Sequence, residues 1–318
     1  MPKAPLRSRR LDVDRARRPW AWLAVLSMLV LAGCGSSTSS SSASGGSSST
    51  AQGAAAQGHG AVNVLYAGSL ETLMNRDIGP AFTKATGYSF NGFPAGSKDL
   101  ANEIKGKVRQ GDVFISASPK VNHKLEGSAN GDWVSWYAPF ASTALVIGYN
   151  PTSSYAGALR RGPWYRVITR PGLHFGFTDP KLDPKGELAV AALGQAAGAY
   201  AAPGLRRIAT DQADLFPEQD LVGRLQAGQL DAGFFYTVEA SAAHIPTVGL
   251  GAIHEQATYT VTILNRAPDQ RGAVAFVAFL LSPRGQALLR GAGLSLLAPA
   301  AKGSGVPSSL RQAIKTSG

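Results

Sequence analysis

The chain has 318 residues, with 31 lysines and arginines against 20 acids, a formal net charge of +11, and a single cysteine. One cysteine excludes a disulfide framework, and an apolar content of 44 % excludes a chain too polar to build a core. The histidines are scattered, with no H-x3-H spacing and no cysteine partner, so the pattern of a zinc site is missing.

Met1 to Arg18 holds seven bases (Lys3, Arg7, Arg9, Arg10, Arg15, Arg17, Arg18) against Asp12 and Asp14. The apolar run from Trp20 to Ala32 is shorter than the roughly 20 residues that cross a bilayer, and it reads as the core of a signal peptide over residues 1–33. It ends in Leu31-Ala32-Gly33-Cys34, which resembles the bacterial lipobox. That resemblance implies lipid on Cys34 and a membrane-anchored, extracytoplasmic protein. From Gly35 to Gly60 the chain is Ser, Gly, Ala, Thr and Gln with one histidine, a flexible tether that holds the globular part about 25–30 Å from the anchor. Without the signal the balance is 24 bases to 18 acids, about +6. The bases are dispersed and not interleaved with aromatics, so no nucleic-acid partner is expected.

Residues 61–318 suit two lobes on one chain. Val62 to Tyr66 alternates at period two, then comes Ala67-Gly68-Ser69 and a helical pattern from Leu70 to about Lys84. Tyr88 to Phe93, Ala95-Gly96-Ser97 and a helical stretch to about Arg109 repeat the unit. Further strands are expected at Asp112–Ser116, Thr143–Tyr149, His174–Thr178 and Asp231–Tyr236. Strands alternating with helices predict an α/β fold with a mainly parallel sheet flanked by helices. The aromatic cluster of Trp133, Trp136 and Tyr137 reads as packing residues of a surface hairpin.

The two Ala-Gly-Ser turns are the first sign of chemistry. A serine at a helix start sets its hydroxyl beside unpaired backbone N–H groups at the positive end of the helix dipole, and two such ends facing one cleft make an anion site. The plainer alternative is that Ser69 and Ser97 only cap their own helices.

From Val62 to Pro299 the chain resembles the extracellular solute-binding proteins of ABC importers, and among them the molybdate/tungstate-binding family in its archaeal-type branch. The stretches VLYAGSL, FPAGS, GDVFISAS, ALVIGYN, HFGFTDPKLDPKG, PEQDLVGRLQAGQLDAGFFYTVEA and AVAFVAFLLSPRGQALL occur in that family's order. The resemblance implies a two-lobed type II periplasmic-binding-protein fold. Lobe 1 takes residues 61–145 and 250–318, lobe 2 takes 146–249, and ligand sits between them. It further implies permease and ATPase partners, a monomer, no cofactor and no catalytic residue.

Carried over position by position, the family's oxo-group donors fall on Ser69 and Ser97. Its two carboxylates fall on Asp183, in Asp183-Pro184-Lys185-Gly186, and on Glu218, and a tyrosine falls on Tyr236. Two carboxylates aimed at a dianion repel it unless they reach its central atom. Mo(VI) or W(VI) accepts hard oxygen donors, so Asp183 and Glu218 are its expected ligands, whereas sulfate and phosphate offer no such centre. Lys185 stands where the family has cysteine, and it adds positive charge near the site or is exposed. Two other classes stay open at this point. One is the same fold holding a cation, such as a polyamine or a metal ion, on Asp183 and Glu218. The other is a secreted serine hydrolase, although neither Gly-x-Ser-x-Gly nor Ser-x-x-Lys with its companion motifs is present.

Overall fold

A computed structural model describes residues 58–316. The signal segment, Cys34 and nearly all of the tether lie outside the described residues.

Strand β1 (Ala61–Ala67) is central because its apolar residues are buried on both faces: Val62, Val64, Leu65 and Tyr66 are almost wholly out of water. It pairs in parallel with β2 (Ser89–Ala95) on one side and β3 (Val113–Ser116) on the other. Parallel strands need a crossover. The first is a helical run of a 3-10 turn (Gly68–Leu70), a short α-turn (Glu71–Leu73), a π-turn (Met74–Ile78) and an α-helix (Gly79–Thr86) that stops at Gly87 in the left-handed region. The second is the helix Ser97–Lys105.

The remaining strands are β4 (Trp136–Tyr149), β5 (Phe175–Thr178), β6 (Leu215–Phe216), β7 (Ala232–Tyr236), β8 (Thr247–Val248), β9 (Gln256–Ile263) and the two-residue β10 (Ser295–Leu296) and β11 (Lys302–Gly303), which with β8 pair beside β4. The order of the others is β2-β1-β3-β9-β4-β7-β5-β6. The sheet is parallel at both ends and antiparallel through the middle, where β9 lies between β3 and β4 and β7 lies beside β4. Strand β4 belongs to both halves. Its residues Ala138–Ala144 pair with β9, and Leu145–Tyr149 pair with β7. Ile147 and Gly148 also pair with Val248 and Thr247 of β8, so two antiparallel segments pass side by side between the halves.

The four strands expected at Val62, Tyr88, Asp112 and His174 and the one at Asp231 form within two residues of their expected bounds. Strand β4 starts seven residues before Thr143, because Pro139 sits at a register shift between Pro139 and Ala141 where its missing N–H costs no ladder bond. Trp136 and Tyr137 therefore lie in a buried strand and not in a surface hairpin. Strand β9 and the antiparallel centre are the features that the alternation of strands and helices did not announce.

Candidate functional site

The carboxyl ends of β1, β2, β5 and β7 point toward one cleft, and each of the expected site residues stands just past one of these strands or at a neighbouring helix start. Neither serine caps its helix. The N-cap positions are Ala67 and Gly96, neither with a side-chain cap bond, and Ser69 and Ser97 lie inside the first turns, buried. Ser69 Oγ is 2.8 Å from the hydroxyl of Tyr259 on β9, and Ser97 Oγ accepts the Ala117 N–H at 3.0 Å, leaving its own proton to donate.

Asp183 is the N-cap of the helix Pro184–Ala199 and is 2 % exposed. Its Oδ1 accepts both the Lys185 N–H (2.6 Å) and the Thr178 hydroxyl (3.1 Å), whereas its Oδ2 is buried with no hydrogen-bond partner. A buried acceptor left so is costly unless something else binds it. Gly186 makes this placement feasible: a Cβ there would run into the Thr178 carbonyl oxygen and lie 2.6 Å from Pro180 N. Gly186→Ala is therefore expected to cost about 1–3 kcal/mol of stability and to weaken ligand binding in the same protein, as read by denaturant melts and calorimetry. Unchanged binding in a destabilised variant rules out the link to Asp183.

Glu218 opens the helix Glu218–Gln226 and reaches the first Ala-Gly-Ser turn across the cleft. Its Oε2 accepts the Gly68 N–H and its Oε1 the Ser69 N–H, both at 3.0 Å. At the second turn, the Lys98 and Asp99 N–H groups both donate to the Leu182 carbonyl at 3.0 Å. Gly68 and Gly96 permit these approaches, since a Cβ on either would meet Glu218 Oε2 at 2.9 Å or the Leu182 oxygen at 2.7 Å. Tyr236 ends β7, and its hydroxyl is buried without a partner.

Lys185 is fully buried, which removes the exposed alternative. Its ammonium lies 2.7 and 3.0 Å from the oxygens of Glu239 and 3.5 Å from Glu218 Oε1. Burial alone would strip its proton, but Glu239, Glu218 and Asp183 together outweigh that and hold it charged above the ordinary lysine range. Burial and the neighbouring Asp183 push Glu218 well above the usual carboxylate range against the pull of Lys185. Burial likewise raises the Tyr236 and Tyr259 hydroxyls, so both stay protonated donors. Sequence reasoning missed two members, Glu239 and Tyr259. The alternation in Gln256-Ala257-Thr258-Tyr259-Thr260-Val261-Thr262-Ile263 was the available signal for Tyr259; Glu239 had none beyond its place three residues past Tyr236.

A folded-state value above the unfolded one means that the folded protein keeps a proton the unfolded chain has released. Stability is then greatest near or below the ordinary value of 4.5 and declines as pH rises from there through the raised value, by about 1.4 kcal/mol per pH unit for one proton. Ligand-free melts from about pH 5 to about pH 7.5 are expected to show wild type losing ground to Glu218→Gln; parallel profiles count against a raised Glu218.

A cavity of about 430 Å3 is lined by Gly96, Asp99, Thr178, Asp183, Phe216 and Glu218 among others, so both carboxylates reach it, whereas Ser69, Ser97, Tyr236 and Lys185 are buried and do not line it.

The chain is similar to known proteins over most of its described length. The family of bacterial extracellular solute-binding proteins matches residues 62–295. An uncharacterized solute-binding protein of Petrotoga mobilis is 27 % identical over 266 residues, covering 72 % of this chain and 82 % of its own length. A putative ABC transporter molybdenum-binding protein of Haloferax volcanii is 29 % identical over 221 residues, 69 % of this chain and 66 % of that one. Among solved structures, the periplasmic molybdate-binding protein of Azotobacter vinelandii aligns with a TM-score of 0.60 at 19 % identity, over 74 % of this chain and 99 % of its own. The fold is that of the two-lobed type II periplasmic binding proteins, and the chain belongs to the bacterial extracellular solute-binding protein family.

Proposed function

We propose that this protein is the lipid-anchored solute-binding component of an ABC importer, that it binds molybdate or tungstate between its lobes, and that it hands the ion unchanged to a permease and its ATPase. Lobe 1 comprises residues 61–145 and 250–318, and lobe 2 comprises 146–249. Ser69, Ser97 and Tyr236 donate to oxo groups, while Asp183 and Glu218 bind the metal of the cargo ion to complete six oxygens around it. The observation that carries this reading is the pair of buried, adjacent carboxylates, Asp183 and Glu218, that line the cavity together, with Glu218 raised by burial and by Asp183. A hard, highly charged centre satisfies such a pair. The name of the Haloferax volcanii relative points the same way.

A polyamine or metal-cation reading fits less well, because the Thr178 hydroxyl and the buried Lys185 ammonium already meet the carboxylates. A hydrolase reading fails to find its base: among the described residues no histidine is hydrogen-bonded to Ser69 or Ser97. The test is a calorimetric titration of the purified protein with molybdate, tungstate, sulfate, phosphate and spermidine, with thermal shift alongside. Selective stabilisation by molybdate or tungstate is expected, since a ligand that binds only the folded state must raise its apparent stability. A response to spermidine alone sinks the reading. For the anchor, Cys34→Ala is expected to move the protein from the membrane fraction to the soluble one; unchanged fractionation removes Cys34 from the account.

A further inference from the structure

Residue 185 touches both cleft carboxylates at once. Its main-chain N–H donates to Asp183 Oδ1 at 2.6 Å, and its ammonium stands 3.5 Å from Glu218. The ammonium is in turn gripped by Glu239 at 2.7 and 3.0 Å. Glu239 is anchored independently, because its Oε1 accepts the Tyr236 N–H at 2.7 Å at the start of the helix Thr237–Ala242. The cluster therefore sets three carboxylates, Asp183, Glu218 and Glu239, against one ammonium. A pair serving only to fill the core needs no third carboxylate within reach of the lysine, and a lysine without Glu239 would be free to swing onto Glu218 and cover it.

We propose that Lys185 and Glu239 form a positioning pair that sets the charge the cleft presents to an oxyanion, with Glu239 holding the ammonium beside Glu218 without letting it close over the carboxylate. This rests on the oxyanion reading of the cleft and adds to it a residue, Glu239, that touches no ligand. Because a dianion meets the sum of these charges, changing that sum changes affinity in a direction that damage to packing does not.

The test is calorimetry with molybdate and sulfate on wild type, Glu239→Gln and Lys185→Met/Glu239→Gln, with thermal melts of each ligand-free protein. Glu239→Gln keeps an acceptor for the ammonium and for the Tyr236 N–H while deleting one negative charge, and it is expected to bind both dianions about threefold to tenfold more tightly. The double variant replaces the pair by neutral groups of similar size, which buried pairs tolerate. It removes one charge of each sign, so it is expected to melt close to wild type and to bind molybdate within about threefold of wild type. Weaker binding by Glu239→Gln overturns the proposal whether or not the double variant folds, and so do equal affinities across the three proteins. If wild type binds neither ion, the oxyanion reading falls and carries the proposal with it; wild-type binding with unchanged variants sinks the proposal alone.

Discussion

Asp183→Ala and Glu218→Ala are each expected to weaken molybdate binding on the order of a hundredfold, the scale of removing one partner from a desolvated charge contact. The variants should still fold, because Asp183 leaves behind only the Lys185 N–H and the Thr178 hydroxyl, and Glu218 leaves the Gly68 and Ser69 N–H groups at the cleft. The sign for sulfate is the opposite. Sulfate has no central atom for a carboxylate to reach, so each acid only repels it, and Asp183→Asn is expected to bind sulfate more tightly than wild type. Calorimetry with both ions on the same preparations checks this. Parallel losses for molybdate and sulfate mean that the carboxylates shape the cleft without meeting the metal.

The largest stability effect is expected from Lys185→Met alone. That change leaves Glu239 and Glu218 buried with no cation between them, and breaking a buried pair from one side costs about 3–5 kcal/mol. For a domain of this size that corresponds to a fall in Tm on the order of 10 °C. Adding Glu239→Gln to the same protein should recover most of the loss, because the stranded charge is gone. Melts of the single and double variants at one pH measure it, and a double variant no better than the single one removes the ion pair as the cause.

Much of the parallel ends of the sheet was legible because local rules and tertiary structure agree there. The period-two run at Val62–Tyr66 and the helical pattern after Leu70 are consistent with a strand and a crossover helix, and both form. The proposed site positions Ser69, Ser97, Asp183, Glu218 and Tyr236 rest mainly on resemblance, since each of those residue types at a helix start or strand end is ordinary by itself. What stayed hidden depends on contacts far apart in sequence. Tyr259 joins Ser69 across 190 residues, and nothing near either residue signals the other. Glu239 meets Lys185 across 54 residues. The early part of β4 was masked by Pro139, whose usual meaning as a strand breaker is cancelled by a register shift visible only once β9 is beside it. The alternative that the two serines only cap their helices stays open on sequence alone, because a serine just inside a helix looks like one at its boundary.

Because β4 is continuous through both halves, no loose joint separates them. A force that draws the lobes apart runs lengthwise along covalent backbone at Ala144 and Leu145, where the partner changes from β9 to β7, and the adjoining β8 shares it. Such a seam bends or twists like a leaf spring, storing little and returning to one path each time. Amide protons on either side of Ala144 should consequently resist exchange.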